Sequence, residues 1–205
     1  MFHRRLIRAG LPAIAILVLG LFGSGQALTF FDPVSGGFVE VDQRYSKNRK
    51  PPAKYHRQTV RFSTREAPGT IIIDTNKHFL YYVLSHNRAV RYGIGVGREG
   101  FGWDGEVHVA RKSEWPRWFP PQEMIAREPR LKKYANGMPG GPSNPLGARA
   151  LYLFDGGRDT LYRIHGTNEP WTIGLNVSSG CIRLVNDDII DLYNRVKPGA
   201  KVIVL

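Results

Sequence analysis

The chain contains one cysteine, Cys181, and it follows a histidine, His165, by 16 positions. Only the thiolate form of a cysteine attacks well, and the ordinary pKa of the thiol is about 8.5, so a neighbouring base is needed. A histidine at the end of a strand can fold back over a cysteine in the loop that follows. Each residue alone is equally well explained as structural, since free cysteines are often small buried apolar groups. Their combination favours nucleophilic catalysis.

Two neighbours of the cysteine support this interpretation. Gly180 permits a tight backbone turn that aims amide N–H groups around the thiol toward one point. Such donors form an oxyanion hole, where the loss of one donor typically costs about 3–4 kcal/mol of transition-state stabilisation. Arg183 is suited to binding a substrate carboxylate through two parallel hydrogen bonds. The predicted chemistry is acyl transfer from a substrate carbonyl to the thiol.

The segment around these residues closely resembles the catalytic domain of L,D-transpeptidases, often called the YkuD domain. The resemblance is carried by His165-Gly166-Thr167-Asn168, Thr172-Ile173-Gly174, Ser178-Ser179-Gly180-Cys181-Ile182-Arg183-Leu184, Asn186-Asp187-Asp188 and Asp191-Leu192-Tyr193. Residues 140–153 and Trp115-Pro116 also look like that family. The resemblance covers about residues 69–205, and its most specific part is the Ser-Gly-Cys-Ile-Arg core.

The resemblance implies a role for each of these positions. Cys181 would attack the carbonyl of an L,D peptide bond in a peptidoglycan stem tetrapeptide and release the terminal D-alanine, and an amine would then resolve the thioester. His165 would be the general base, oriented by the backbone carbonyl of Gly166. Ser179 stands where the family commonly has histidine, and it would donate a hydrogen bond or supply only its backbone. The substrate-binding residues would be Arg183, Tyr152 and Asn168.

The products implied by the resemblance are 3-3 cross-links or proteins attached to the wall, as part of cell-wall biogenesis and cell shape. Two other functions stay open. If water resolves the thioester, the enzyme is an L,D-carboxypeptidase or endopeptidase that hydrolyses peptidoglycan. A non-catalytic wall-binding module is the third function, although it leaves the lone thiol and its glycine turn without a purpose.

No cofactor and no metal are expected for this chain. Apart from His165, the four histidines that follow the predicted leader show no ligand spacing with one another or with the cysteine. They are His56, His78, His86 and His108.

The first 27 residues are organised like a secretory signal peptide. A basic start with Arg4, Arg5 and Arg8 precedes an apolar run at residues 11–22, which closes with Gly25-Gln26-Ala27. A membrane-spanning helix needs about 20 residues, so a leader cleaved after Ala27 is favoured over a permanent anchor. We therefore expect a periplasmic protein.

The net charge of +12 suits an acidic partner, such as nucleic acid, anionic lipid or cell-wall polymer, although a charged surface often does no more than keep a protein soluble. Export argues against nucleic acid and leaves acidic wall material, with membrane contact only through the leader or a basic linker. That linker is expected at residues 28–68, because it contains Pro51-Pro52 and no acidic residue from Arg44 to Arg65. An outer-membrane protein that becomes tethered to the wall is a further candidate acceptor.

Residues 69–205 alternate short β-rich runs with turns, which predicts a mainly β catalytic domain built as a β-sandwich or barrel. The runs lie at 70–74, 79–84, 88–96, 106–111, 148–154, 161–165 and 201–205. A C-terminal helix is predicted from Asn186, which would cap it, with Ile189, Leu192, Tyr193 and Val196 on one face. A helical turn at 122–127 lies within a long Trp/Pro/Gly-rich loop region between the two sets of runs.

Overall fold

A computed structural model describes residues 27–32, 37–42, 50–97, 103–178 and 180–205 of the chain. The part of the predicted signal peptide that precedes Ala27 lies outside the described residues, as does Ser179. In the described ranges, no helix combines the length and the apolar character that crossing a bilayer requires.

The described residues form strands and two short helices. The strands are β1 (Ala27–Asp32), β2 (Gly37–Asp42), β3 (Gln58–Arg61), β4 (Ile71–Asp74), β5 (Phe79–Ser85), β6 (Arg88–Gly93), β7 (Val96–Gly97), β8 (Gly105–Glu114), β9 (Arg149–Asp155), β10 (Arg158–His165), β11 (Asn176–Ser178), β12 (Ile182–Arg183) and β13 (Lys201–Val204). The α-helices are α1 (Gln122–Arg127) and α2 (Asn186–Arg195). Turns of 3₁₀ helix occur at Ala53–Tyr55, Pro129–Tyr134 and Pro170–Thr172.

One large sheet organises the domain, with the strand order β12-β10-β9-β8-β13-β4-β5-β6-β3. Its neighbouring strands are antiparallel except for two parallel pairs, β10 with β12 and β13 with β4. Strands β7 and β11 form a small parallel pair, and β1 pairs with β2. The predicted mainly β fold with a C-terminal helix is confirmed, and the predicted runs match strands of this sheet.

The hydrophobic core lies on the face of the sheet that α2 covers. Side chains alternate between the two faces along a strand, so every second residue of β4, β9 and β10 contributes to this core. The fully buried contributors include Ile71, Ile73, Leu151, Leu153 and Ile164 from the sheet and Ile189 and Leu192 from α2. The residues between them, including Tyr152 and His165, therefore point to the opposite face.

Part of the segment predicted as a linker packs against the large sheet. Strand β3 pairs with β6 over its whole length, and Tyr55 is buried. A Cβ atom at Gly93 or at Gly174 would collide with Tyr55, so this side chain fills a notch that two distant glycines leave open. The composition of the segment does not reveal such a notch.

The prediction that Asn186 caps α2 is wrong. The N-cap position is held by Val185, without a side-chain hydrogen bond to the helix. The Asn186 Oδ1 instead accepts the Ala148 N–H at 2.9 Å. This side chain therefore ties the start of α2 to the residue that precedes β9. The predicted apolar face of the helix is confirmed, since Ile189 and Leu192 are fully buried.

A buried carboxyl group in the first turn of α2 makes stability depend on pH. Burial raises the pKa of Asp188 from 3.8 to about 6, although the positive charge of Arg57 opposes this increase. The folded chain therefore binds this proton more tightly than the unfolded chain does. The group's contribution to the free energy of unfolding is greatest below about pH 4, declines as the pH rises to about 6, and is constant above that.

We predict that Asp188→Asn removes this pH dependence, because an amide does not ionise. Relative to the parent, the variant should gain on the order of 1 kcal/mol in free energy of unfolding between about pH 4 and about pH 7.5. Urea unfolding at a series of pH values measures this difference. Asp187→Asn, at the exposed neighbouring carboxylate, is the matched control, and parallel profiles for the parent and Asp188→Asn would contradict the prediction.

Candidate active site

Parallel pairing of β10 with β12 brings the histidine and the cysteine together. His165 faces Arg183 in this pair, and Cys181 directly precedes β12, level with Arg163. Residues two positions apart on a strand share a face, so Cys181 and His165 lie on the same face of the sheet. Diagonal neighbours on adjacent strands are about 7–8 Å apart, a separation that long side chains span. The register of β10 and β12 therefore places the two side chains near each other.

The backbone orients the imidazole of the histidine. His165 is fully buried, and its Nδ1 lies 2.5 Å from the Gly166 carbonyl oxygen. A carbonyl oxygen only accepts hydrogen bonds, so Nδ1 carries the proton in the neutral ring and the lone pair is on Nε2. This tautomer is the one that a general base requires.

Gly166 sits at a junction where only glycine fits. Its N–H donates to the Arg149 carbonyl at 3.0 Å. A Cβ atom here would collide with the Asn186 Oδ1 and would lie 3.0 Å from the Ala148 nitrogen. The carbonyl that orients His165 is therefore held in place by both β9 and α2.

A serine and a glycine shape the turn that presents the thiol. Gly180 has a φ of +107°, in the region that side chains rarely adopt. The buried hydroxyl of Ser178 accepts the Gly180 N–H at 3.2 Å and donates to the Cys181 carbonyl at 2.5 Å. Gly180 thus contributes its conformation, and its own N–H is engaged within the turn.

Cys181 is half-buried as a residue, and the burial of its thiol determines the protonation state of that group. Burial raises the pKa of the thiol, and a hydrogen bond with the backbone of Arg163 and the positive charges of Arg163 and Arg183 offset only part of that increase. The resting group is therefore a thiol, which needs a base before it can attack. The base that the geometry offers is His165.

The side chain of Arg183 is buried beneath the site. It is 1% exposed, and its guanidinium Nη1 lies 3.5 Å from the Glu169 carboxylate. A buried cation needs such a partner, because removing it from water is costly. A direct role in binding a substrate carboxylate would require Glu169 to move, whereas the positive charge acts on the thiol from its present position.

The two other predicted substrate-binding residues lie in different places. Tyr152 is on β9, on the same face as the thiol, and its ring is sandwiched between the guanidinium groups of Arg111 and Arg163. Asn168 lies in the loop after β10, where its Nδ2 donates to the Ser143 carbonyl at 3.3 Å. It lines a cleft of about 610 Å³ beside the start of α2, and the described lining of this cleft does not include the thiol or the imidazole.

The long loop region between β8 and β9 forms an ordered wall with its own small core. Trp118, Met124 and Leu131 are buried together. Asn144 is fully buried, and its Nδ2 donates to the carbonyls of Pro116 and Pro139 at 3.1 and 3.0 Å. The first backbone contact of the wall is the hydrogen bond from the Trp115 N–H to the Ala148 carbonyl at 2.8 Å, where β8 ends and β9 begins. His165 pairs with Ala150 at the same end of β9, so the wall begins beside the histidine.

Three residues have roles that the sequence analysis did not assign: Arg163 beside the thiol, Ser178 in the turn and Asn186 behind Gly166. Arg163 stands two positions before His165, so strand periodicity alone would have placed both on one face. Ser178 and Asn186 act through contacts that periodicity does not indicate. Among the described residues, no group of three or more His, Cys, Asp or Glu side chains is arranged to hold a metal ion.

We predict that Gly166→Ala lowers the free energy of unfolding by about 2 kcal/mol, because overpacking forces the surrounding backbone to shift. It should also slow alkylation of the thiol, since the carbonyl that orients His165 moves with that backbone. Gly141→Ala is the matched control, because a Cβ atom there meets no heavy atom within 4 Å. Urea unfolding and the rate of iodoacetamide labelling test the prediction, which fails if the two variants behave alike.

Sequence comparisons place this site in a known family. The family model of the YkuD domain, described as the L,D-transpeptidase catalytic domain, matches residues 68–204. The chain is 37% identical over 139 residues to the probable L,D-transpeptidase YbiS of Escherichia coli strain K12, in a match that covers 65% of this chain and 43% of YbiS. It is 31% identical over 136 residues to the putative L,D-transpeptidase YqjB of Bacillus subtilis strain 168, where the match covers 65% of this chain and 69% of YqjB. The chain therefore spans less than half the length of YbiS.

A solved structure is also similar to this chain. It comes from Brucella melitensis and is described as a probable carnitine operon oxidoreductase CaiA, with 52% identity and a TM-score of 0.52 over 74% of this chain and 94% of that one. That description differs from the names of the sequence relatives. The family match extends over more than half of the chain and includes the strands, the turn and the helix that position the thiol and the imidazole, so this chain belongs to the L,D-transpeptidase family.

Proposed function

We propose that this protein is an exported L,D-transpeptidase that acts on peptidoglycan stem tetrapeptides through a thioester on Cys181. The observation that carries the proposal is the placement of Cys181 and His165 on one face of the sheet, with the imidazole held by the Gly166 carbonyl. Membership of the family supplies the substrate class. The mechanism follows from two features: the His165 tautomer with its lone pair on Nε2, and the raised pKa of the Cys181 thiol.

The first half-reaction forms the thioester. The His165 Nε2 takes the thiol proton as the sulfur of Cys181 attacks the carbonyl carbon of the L,D peptide bond. The electron pair of the carbonyl moves to its oxygen, and backbone N–H groups near the turn stabilise the resulting oxyanion. When the intermediate collapses, the C–N bond breaks and the imidazolium gives its proton to the amine of the departing D-alanine.

The second half-reaction transfers the acyl group. An incoming amine attacks the thioester carbonyl and loses a proton to the imidazole, and the C–S bond then breaks. The sulfur leaves as a thiolate and recovers its proton from the imidazolium. An amine of a second stem peptide gives a cross-link, and an amine of a protein gives an attached protein. Water in place of the amine gives hydrolysis.

The charges around the thiol favour proton transfer during attack over a permanently ionised nucleophile. Burial raises the pKa of the Cys181 thiol, so a free thiolate is disfavoured before the substrate is bound. Once His165 is protonated, its charge joins those of Arg163 and Arg183 in stabilising the thiolate. The reaction therefore depends on the imidazole as well as on the sulfur.

We place the enzyme in the periplasm and assign it a cleavable leader at residues 1–27. The proposed catalytic domain includes residues 69–205, and the contacts of β3 and Tyr55 support adding residues 50–68 to it. The basic residues ahead of the domain are suited to acidic wall material.

The chain without residues 1–27, incubated with a disaccharide tetrapeptide, tests the proposal. We predict an adduct on Cys181 with the mass of the donor less D-alanine, and transfer of that adduct to an added amine. Cys181→Ala should abolish the adduct, and His165→Gln should slow its formation by about 10²–10⁴-fold, the usual contribution of a general base.

His86→Gln is the matched control, because His86 is exposed at the turn between β5 and β6. It should leave adduct formation unchanged. Release of D-alanine in the presence of amine, with only hydrolysed product, would identify a carboxypeptidase. Absence of both the adduct and D-alanine release would overturn the proposed function and favour the wall-binding alternative.

A further inference from the structure

A row of cationic and aromatic side chains crosses the sheet from β8 to the thiol. Arg111 is the register partner of Tyr152, and Tyr152 is the register partner of Arg163. The two guanidinium carbons lie 3.5 Å and 4.4 Å from the centroid of the Tyr152 ring. Because Arg163 is level with Cys181, the row ends at the nucleophile.

The two arginines of this row differ in how their charge is used. The guanidinium of Arg163 donates to both carboxylate oxygens of Asp159, at 2.7 and 2.8 Å, and its side chain is mostly buried. Arg111 is exposed, and the Asp159 carboxylate acts on it only as a neighbouring charge. Within residues 50–97, 103–178 and 180–205, no carboxylate forms an ion pair with Arg111.

The ring of Tyr152 holds the exposed guanidinium in a defined orientation. Stacking uses one flat face of the group, and because Arg111 is exposed the N–H donors at its edge remain available to a ligand, in the fork that matches a carboxylate. Tyr152 itself is 9% exposed, so the ring is a rigid support. A ligand therefore meets a charged donor whose orientation is already set, which reduces the entropy lost on binding.

The position of this guanidinium relative to the thiol limits what it can bind. Arg111 comes from β8, three strand spacings from β12, and its guanidinium lies against the ring of Tyr152 on β9, so it is about 10–14 Å from the level of Cys181. An extended peptide covers about 3.3–3.6 Å per residue. A donor that crosses the strands toward β8 would therefore bring a side-chain carboxylate on the second residue before its scissile carbonyl within reach of Arg111.

We propose that Arg111, held on Tyr152, is a specificity-determining residue that binds a carboxylate of an acidic acyl-donor peptide two residues before the scissile carbonyl. The inference rests on the proposed function and adds a chemical requirement to its donor. Arg163 and Asp159 position the stack, and Arg111 makes the contact.

Two synthetic donors test the inference. They are identical except that one carries a carboxylate two residues before the scissile carbonyl and the other carries the carboxamide there. We predict that the parent forms its acyl-enzyme with the carboxylate donor about tenfold faster in kcat/KM, as expected for a hydrogen bond to a charged group. Arg111→Gln should lose this preference while its rate with the carboxamide donor stays unchanged. Mass spectrometry without an acceptor measures the first half-reaction alone.

Three controls make the result specific. Arg88→Gln removes an exposed positive charge from β6, which is four strands beyond β8 in the strand order that begins at β12. This variant should keep the preference. Labelling of Cys181 by neutral iodoacetamide should be the same in the parent and in Arg111→Gln, which shows that the thiol is intact. The preference of the parent should shrink as the salt concentration rises, because the contact is exposed.

The outcomes separate the inference from the function on which it rests. A preference that persists in Arg111→Gln, an equal loss with both donors, or an effect confined to the acceptor step would overturn the role of Arg111 while the proposed function stands. If neither donor acylates the parent, the proposed function fails and this inference fails with it.

Discussion

The short parallel pairing of β10 with β12 is the constraint on which the rest of the site depends. It includes only two residue pairs, yet it decides that Cys181 and His165 share a face. Two further contacts hold it: the Leu184 N–H donates to the His165 carbonyl at 2.9 Å, and Gly95 exchanges two backbone hydrogen bonds with Arg183. A slip of one residue would turn the thiol toward the core.

One face of the sheet packs the hydrophobic core, and the other carries the residues of the proposed chemistry. One face packs Leu151, Leu153 and Ile164 against α2 and excludes water. The other face carries charged side chains, which are accommodated because each buried cation has an acidic partner: Arg163 has Asp159, and Arg183 has Glu169. The same charges lie near the thiol, so the pairs that satisfy the buried arginines also contribute to its electrostatic environment.

The side chain of Asn186 connects α2 to the site. Asn186 opens α2 and fixes the Ala148 N–H, and its oxygen fills the space that a side chain at Gly166 would need. The carbonyl of Gly166 in turn orients the imidazole. The packing of α2 on the core is thus connected to the orientation of His165 through Asn186 and Gly166. Stability of the helix and orientation of the base are therefore not independent.

The sequence alone determined the chemical groups and most of the strands, because a lone cysteine, a glycine before it and alternating apolar residues are local signals. Together with the family resemblance, it predicts Cys181 as the nucleophile, His165 as the base and the Gly166 carbonyl as the group that orients the base. Only the tertiary structure decided that Tyr55 joins the domain, that Asn186 contacts β9 and that Arg111, Tyr152 and Arg163 form one row. These features depend on strand register and on cavities between residues far apart in the chain. A local sequence pattern does not indicate which distant residue fills a notch in the packing, or which residue is the register partner on the neighbouring strand.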